Sequence, residues 1–288
     1  MKTTLPNGEG IKWPNGAKVA VMLSFDFDAD RLQVARAWPG SPGFADRSRG
    51  MYGPDEGLAR CLRVLKETEV PSTFFIPGIN IDRFPEHVNR IVESGAEIAY
   101  HGFYHDNNFD TILYDRAEEE MEMAEERIES IWGRKPVGAR LPGGYMQRYT
   151  VDLLHKRGYK YSSALSPEKS CDWAFCYERE GRKIPLVEMC TDVCTDDFTY
   201  YFFSLATPRH NPTYNNDYVR EIWQDEFDGR VKEEDKFLCL KLHPSIIGRA
   251  SRAKMLQDFI LYMKENGAWF ATCEEVADYV LKDNGFTV

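Results

Sequence analysis

The sequence predicts an α/β protein whose parallel sheet is closed into a barrel, and two observations support this prediction. Short apolar segments alternate with amphipathic segments along the 288 residues, which is typical of parallel strands connected by helices. Polar residues directly follow apolar segments at Asp26, Asp28, His101, Arg140 and His243. A barrel brings the carboxyl ends of all its strands to one mouth, whereas an open doubly wound sheet would leave some of these residues far apart.

The predicted strands are short apolar runs, and the predicted helices are longer segments with apolar residues on one face. Strands are predicted at residues 18–25, 72–76, 97–100, 138–140, 159–163, 186–189, 237–242 and 269–272. Helices are predicted at residues 54–68, 85–94, 115–132, 150–156, 215–231, 250–266 and 273–282. The dense acidic face of the helix at 115–132 is interpreted as solvated surface rather than as a metal site.

Two long segments, 29–53 and 164–215, interrupt the alternation of strands and helices. Segments of this length in a compact domain usually cover a site or an oligomer interface. The sequence contains no linker, internal repeat or low-complexity tract. A single domain over residues 1–288 is therefore predicted.

Composition and charge exclude several classes of partner. The net charge is −10 and the isoelectric point is near 5.2, which argues against nucleic acid and against an anionic membrane surface. The first residues lack the apolar core of a signal peptide, and no apolar run is long enough for a membrane span. The seven cysteines are an odd number without zinc-knuckle spacing, so reduced thiols and a cytoplasmic location are predicted.

His101 and His105 are four residues apart, which is one helical turn, so both imidazoles can reach one point in space. Neutral imidazole is a common ligand of zinc and related divalent metals. Asp26 and Asp28 lie two apart on a strand and face the same way, which suits a division in which one carboxylate binds metal and the other transfers protons. A catalytic metal site is predicted, with a pair of exposed or capping aspartates as the alternative.

His243 and Arg140 complete the set of candidate residues. An imidazole at a strand end has an intrinsic pKa near 6.5, suited to protonating a leaving group near neutral pH. The alternative is a buried, hydrogen-bonded core histidine. Arg140 opens the segment Arg-Leu-Pro-Gly-Gly, where a fixed cation could orient an aspartate and the glycines would allow a substrate to approach the backbone. The alternative for Arg140 is a surface arginine in a turn.

These segments resemble the motifs of the polysaccharide deacetylase superfamily (carbohydrate esterase family four). The residues Ser-Phe-Asp-Phe-Asp ending at Asp28 are similar to its first motif, and His101–His105 to its second. Arg140 opens a match to its third motif, Arg-x-Pro-x-Gly, and His243 ends a match to its last, Leu-x-Leu-His. The resemblance covers residues from about 18 to 280 and implies a distorted (β/α) barrel of about seven strands.

The resemblance also implies a role for each residue. Metal ligation would fall to Asp28, His101 and His105, with Zn²⁺ as the first choice of divalent metal ion and Mn²⁺, Co²⁺ or Ni²⁺ as alternatives. Asp26 would be the base, His243 the acid and Arg140 the residue that orients Asp26. A backbone N–H near residues 143–145 would help to stabilise the oxyanion, and substrate contacts are assigned to Gly144, Tyr145 and Asp197.

Three departures from the family motifs are informative. Phe27 separates the two aspartates, so the assignments of base and ligand remain interchangeable, and Gly102 replaces a hydroxyl residue that would orient the second histidine. Asp172 and Trp173 are a weak match to the fourth motif. With these departures, the sequence resembles one branch of the family, which contains intracellular peptidoglycan deacetylase-like proteins and cyclic imide hydrolases. The resemblance to this branch implies a homotetramer with long loops over the mouth of the barrel.

The first functional prediction is a metal-dependent hydrolase of a non-peptide carbon–nitrogen bond in a small cyclic imide or ureide. The long loops, the negative charge and the absence of a signal peptide motivate this prediction. The alternative is an N-deacetylase of peptidoglycan or oligosaccharides that contain N-acetylglucosamine. A third prediction, from a different class, is a binding protein without catalytic activity on the same scaffold.

Overall fold

The computed structural model describes residues 11–31, 43–105, 112–144, 146–147, 149–164, 174–202, 213–234 and 236–288. Its strands are β1 (Val19–Asp26), β2 (Thr73–Ile76), β3 (Glu97–Tyr100), β4 (Gly138–Ala139), β5 (Tyr161–Ser162), β6 (Phe175–Arg179), β7 (Arg182–Glu188), β8 (Lys236–Leu242) and β9 (Ala268–Phe270). Each of the eight predicted strands is present within a few residues of its predicted bounds. The strand β6 was not predicted.

The strands form one curled sheet in the order β6-β7-β5-β4-β3-β2-β1-β8, and the short β9 also pairs with β1. Seven strands, from β7 to β8, follow each other in parallel, while β6 forms an antiparallel hairpin with β7. The α/β class and the distorted barrel of about seven strands are thereby confirmed. In such a sheet, the carboxyl ends of the parallel strands lie at one edge, where the predicted site residues occur.

Helices surround the sheet. They are α1 (Phe44–Tyr52), α2 (Leu58–Thr68), α3 (Gly78–Arg83), α4 (Pro85–Glu93), α5 (Tyr114–Trp132), α6 (Thr150–Lys156), α7 (Asp197–Tyr201), α8 (Asn216–Glu233), α9 (Pro244–Ile247), α10 (Ala250–Glu265) and α11 (Cys273–Asp283). The prediction of one helix over 54–68 was partly wrong, because a π-helical turn at Gly53–Gly57 precedes α2. None of the helices within the described ranges is both long and apolar enough to cross a membrane.

The two segments predicted to be long loops contain regular structure. Helix α1 lies in the first segment, and β6, β7 and α7 lie in the second. Strand β7 overlaps the predicted strand at 186–189, whereas α1, β6 and α7 were not predicted. Residues 32–42, 165–173 and 203–212 of these segments, with the weak motif match at Asp172 and Trp173, lie outside the described residues.

Strand β1 separates two hydrophobic cores because its side chains alternate between the two faces of the sheet. Val21 and Leu23 belong to the core beneath the helices, whereas Ala20 and Met22 belong to the core inside the barrel. All eight residues of β1 are buried, and complete burial of a side chain such as Leu23 contributes about 1.5–3 kcal/mol. The same alternation turns Asp26, like Ala20 and Met22, towards the barrel interior.

Glycines in the π-helical turn Gly53–Gly57 allow close packing against helix α9, which follows His243. A Cβ atom on Gly57 would overlap the carbonyl oxygen of Pro244, and one on Gly53 would lie 2.9 Å from the Cβ atom of Ser245. Pro244 is the first residue of α9, where its fixed backbone angle suits a helix start. The close approach of these two segments therefore fixes the position of His243.

We expect Gly57→Ala to lower the free energy of unfolding by about 2 kcal/mol, because overpacking of a closely packed contact costs about 1–3 kcal/mol. Gly229→Ala is the matched control, since a Cβ atom there has no neighbour within 4 Å and alanine in a helix is favoured by about 0.5–1 kcal/mol. Denaturant midpoints measure both effects. Equal midpoints for the two variants would contradict the close packing of Gly57 against Pro244.

Candidate metal centre and active site

Asp28, His101 and His105 meet at the mouth of the barrel. Asp28 follows β1 by two residues, and His101 follows β3 directly. The expectation of one helical turn between the histidines was wrong, because residues 101–105 form a non-helical loop in which Gly102 (φ 72°) and His105 (φ 57°) take left-handed backbone angles. The loop nevertheless brings the centres of the two imidazole rings to within 4.9 Å.

The three side chains present their ligand atoms to one point. Asp28 Oδ1 lies 3.3 Å from His101 Nε2 and 3.1 Å from His105 Nε2, and all three residues are buried. Burial by itself would raise the pKa of Asp28, but the two imidazoles beside it hold that pKa well below its usual value. The Oδ1 atom has no hydrogen-bond partner among the described residues.

The tautomer of His101 is fixed by the backbone. His101 Nδ1 lies 2.6 Å from the carbonyl oxygen of Arg140, which can only accept a hydrogen bond, so Nδ1 carries the proton. In the neutral ring, the lone pair is then on Nε2, which faces Asp28. His105 Nδ1 has no partner within the described ranges, in agreement with the loss of a hydroxyl at Gly102.

Arg140 fixes the second aspartate. Its Nη1 donates to Asp26 Oδ1 at 2.7 Å, its Nη2 donates to the hydroxyl oxygens of Ser24 and Ser163 at 2.9 Å, and the guanidinium lies 4.0 Å from the ring centre of Phe75. Burial by itself would raise the pKa of Asp26, but the charge of Arg140 outweighs it and lowers the pKa to about 2. The Asp26 carboxylate is therefore ionised at neutral pH.

His243 is held by Asp197. Asp197 Oδ1 accepts a hydrogen bond from His243 Nδ1 at 2.6 Å, and Oδ2 accepts one from the His243 backbone N–H at 2.9 Å. Burial would lower the pKa of His243, but the adjacent carboxylate raises it to about 9, while burial raises the pKa of Asp197 to about 6. His243 Nε2 faces Asp26 Oδ2 at 3.8 Å and Asp28 Oδ2 at 3.9 Å.

The position of Asp197 differs from the predicted substrate contact. The residue is fully buried, lies behind His243 and is absent from the described lining of the cavity. Its carboxylate is occupied by two hydrogen bonds from one residue, so it positions and charges His243 rather than touching a ligand. Asp196, which was not predicted, lines the cavity instead.

Two further assignments concern the loop after β4. The backbone N–H of Gly144 donates to the carbonyl oxygen of Leu141 at 3.0 Å, so it is not available to a ligand. Gly144 still lines the cavity. A side chain is excluded at this position, because φ is 74° and a Cβ atom would lie 2.7 Å from the carbonyl oxygen of Ala164. Tyr145 lies outside the described residues.

Lys241 is a cavity residue that the sequence reasoning missed. Its Nζ atom lies 3.2 Å from Asp196 Oδ2 and 3.9 Å from Asp26 Oδ2. The signal was present in the sequence, because Lys241 is two residues before His243 and the backbone is still extended at His243, so the two side chains have the same direction.

The described residues enclose a cavity of about 260 Å³ above the candidate metal ligands. Polar residues form its floor, and Leu141, Val193 and Phe198 contribute apolar walls. The Phe198 ring lies 5.8 Å from the ring of His243. Drug-sized ligands usually occupy about 300–1,000 Å³, so the described part of this cavity suits a smaller group.

Replacement of Asp197 tests the charge on His243. In the parent protein, a His243 acid with a pKa of about 9 loses its proton, and turnover falls, as the pH rises through 9. Asp197→Asn removes the carboxylate that raises the pKa of His243 most, so that pKa falls, although Asp196 and Asp26 still raise it. We expect the alkaline limb of the profile of kcat against pH to move to lower pH and turnover at pH 8 to fall severalfold. An unchanged alkaline limb would contradict the inference that Asp197 raises the pKa of His243.

Comparison with known proteins shows which family the chain is similar to. A family model described as polysaccharide deacetylase matches residues 52–162. This part of the chain is therefore similar to the polysaccharide deacetylases, whose members are hydrolases that act on carbon–nitrogen bonds of amides. Deacetylases of this family depend on a metal ion, which agrees with the cluster of Asp28, His101 and His105.

Individual relatives match almost the whole chain. A peptidoglycan deacetylase of Helicobacter pylori is 26% identical over 92% of this chain and 97% of its own. The crystal structure of a protein from Mycobacterium smegmatis assigned to the polysaccharide deacetylases superposes with a TM-score of 0.86 at 29% identity, over 99% of this chain and 97% of that chain. An allantoinase structure, with a TM-score of 0.82 at 22% identity over 98% and 96%, shares the fold.

Proposed function

We propose that the protein is a metal-dependent hydrolase of a non-peptide carbon–nitrogen bond, and that its substrate is a small cyclic imide or ureide. The observation that carries the proposal is the buried cluster of Asp28, His101 and His105 beside an ionised Asp26 and a charged His243. General base, general acid and metal ligands are thereby within a few ångströms of each other, as amide hydrolysis requires.

The residues fit a divalent cation. A buried carboxylate oxygen without a hydrogen bond, facing two imidazole nitrogens at 3.1 and 3.3 Å, is costly unless a cation lies between them. Ligands at about 2.0–2.1 Å from one tetrahedral ion are roughly 3.4 Å apart, close to these separations. The chemistry supplied by such an ion is Lewis acidity, which polarises a carbonyl and lowers the pKa of water. Zinc is the first choice, with manganese, cobalt and nickel as alternatives.

The other residues divide the proton transfers. Arg140 occupies one oxygen of Asp26, so the second oxygen, which faces His243, is the one that accepts a proton from water. His243 carries a proton on Nε2 at neutral pH and donates it to the departing nitrogen. The distances to the two imidazoles support Asp28 as the metal ligand and Asp26 as the base, because Asp28 Oδ1 lies within 3.3 Å of both His101 Nε2 and His105 Nε2.

The size of the described cavity supports a small substrate. About 260 Å³ accommodates a five- or six-membered ring but only one sugar unit of a polymer at a time. The carboxylates of Asp192 and Asp196 in its lining favour a neutral ring over an anionic group. The homotetramer implied by the family resemblance stays a prediction that light scattering would test.

Ring opening tests the proposal directly. We expect protein reconstituted with Zn²⁺ to open at least one of succinimide, glutarimide, hydantoin and dihydrouracil, with acid release followed at constant pH. Chelation should abolish the reaction, and added Zn²⁺ should restore it. No opening by protein that contains one equivalent of metal would contradict the imide or ureide substrate.

The second candidate is N-deacetylation of a substrate that contains N-acetylglucosamine. The relative from Helicobacter pylori, whose name states peptidoglycan deacetylation, supports it because the match extends over 92% of this chain. Release of acetate from chitooligosaccharides or peptidoglycan fragments, with no opening of any ring in the panel, would favour this candidate.

A further inference from the structure

Lys241 occupies a position in the cavity that the proposed chemistry does not use. Strand β8 pairs with β1 so that Lys241 lies opposite Ser24. Both residues precede, by two positions in the chain, the residues proposed to transfer protons, Asp26 and His243. The neighbours of Lys241 with the same side-chain direction, Cys239 and His243, both face the barrel interior, where Cys239 Sγ lies 3.5 Å from Arg140 Nη2. The Lys241 side chain is 20% exposed and contributes to the cavity wall.

The ammonium group of Lys241 has hydrogen-bonding capacity left for a ligand. An ammonium carries three N–H donors. Among the described residues, Asp196 Oδ2 at 3.2 Å is the acceptor within hydrogen-bond distance, because Asp26 Oδ2 at 3.9 Å is too far. By contrast, the Arg140 guanidinium is buried and committed to Asp26, Ser24 and Ser163.

The charges around Lys241 indicate which group it accepts. Asp196 and Asp26 already face the ammonium, so an anionic ligand would compete with Asp196 for it and would meet two like charges. A neutral carbonyl oxygen accepts a hydrogen bond without displacing either carboxylate. Burial would lower the pKa of Lys241, but Asp196 and Asp26 outweigh it and raise that pKa, so the group remains a charged donor.

We propose that Lys241 donates a hydrogen bond to a second carbonyl oxygen of the substrate, next to the carbonyl that is hydrolysed. This inference rests on the proposed function, which places the hydrolysed carbonyl beside Asp26 and Asp28. The ammonium lies 3.9 Å from Asp26 Oδ2, so a group that reaches it belongs to the immediate neighbourhood of the reacting carbon. The site then selects amides whose nitrogen carries a second acyl group, as in an imide or acylurea, over amides with one carbonyl.

Two neutral rings of equal size test the selection, since succinimide has two carbonyl oxygens and 2-pyrrolidinone has one. Ligand-observed NMR titration of the Zn²⁺-containing protein measures the affinity for each ring and shows any ring-opened product in the same sample. We expect succinimide to bind about tenfold more tightly, which is the effect of one hydrogen bond to a charged donor. Lys241→Met should remove this preference while changing the affinity for 2-pyrrolidinone less than twofold.

Two control variants separate the hydrogen bond from other effects. Lys241→Arg keeps a charged donor and should restore part of the preference. Lys254→Met removes one positive charge from an exposed lysine on α10 and should leave the preference intact. Zinc content is measured for every variant, so that a lost metal ion is not mistaken for a lost hydrogen bond.

The outcomes separate this inference from the proposed function. Equal affinity of the parent protein for both rings, or a preference that survives in Lys241→Met, would overturn the role of Lys241 even if rings are opened. A preference that depends on Lys241 would support the role of Lys241 even without ring-opened succinimide, whereas the absence of opening for all four rings of the panel would contradict the imide or ureide substrate. The full expected result is that Lys241→Met loses the preference for succinimide, and that its KM for succinimide rises by a larger factor than its kcat falls.

Discussion

Asp28→Ala and His105→Ala are each expected to leave the protein without a bound divalent ion and to reduce turnover to below about 1% of the parent. Each change removes one of three ligand atoms from a site whose remaining two cannot hold the ion against water, and loss of a Lewis acid removes several kcal/mol of transition-state stabilisation. Metal content after dialysis and turnover at saturating substrate measure the two effects independently.

The matched control for the ligand variants is His87→Ala. His87 lies on α4, outside the cavity, and pairs with Asp55 at 3.5 Å. We expect one equivalent of metal and parental turnover in this variant. Full metal occupancy in both Asp28→Ala and His105→Ala would overturn the ligand assignment, and full occupancy in Asp28→Ala with an empty Asp26→Ala protein would show that the two aspartates exchange roles.

His243→Ala is expected to retain the metal ion and to lower kcat by roughly 100-fold or more, since a positioned general acid contributes about 10²–10⁴-fold. The imidazole lies 3.8 Å or more from both candidate carboxylates and takes no part in the cluster around Asp28 Oδ1. Its removal therefore separates proton donation from metal binding. Substrates with a good leaving group should lose less activity than substrates with a poor one.

Asp197 offers an internal comparison for the His243 variant. If His243 acts as the acid, Asp197→Asn in a His243→Ala background should have little further effect on kcat, because the two residues act as one unit. Multiplicative losses in the double variant, or unchanged turnover in His243→Ala alone, would contradict the assignment of His243 as general acid.

Most of the barrel could be predicted from the sequence because its strands are buried on both faces. Apolar runs such as the one that precedes Asp26 are recognisable without knowledge of their neighbours. Strand β6 was missed since its segment, Phe-Cys-Tyr-Glu-Arg, mixes apolar and charged residues. The hairpin turn at Glu180 and Gly181, with φ of 51° and 76°, was the available signal, because such turns favour glycine.

The residues at the ends of strands could be found in the sequence, but their contacts could not. The sequence predicts Asp197 as a substrate contact because its partner His243 is 46 residues away, and only the fold brings the two together. Lys241 stood between two recognised motif positions and was passed over. The close contact between Gly57 and Pro244, which positions His243, could not be predicted. The two residues are far apart in the chain, and no sequence pattern indicates that they pack together.

The pairing of β1 with β8 has a consequence for the synthesis of the protein. Strand β1 lies between β2 and β8, and its residue Val19 pairs with Lys236, more than two hundred residues later in the chain. At about 5–20 residues per second, roughly 10–40 s pass between the emergence of the two strands from the ribosome. During that interval, the edge of β1 that later pairs with β8 has unpaired backbone N–H and C=O groups, which are open to association with other chains.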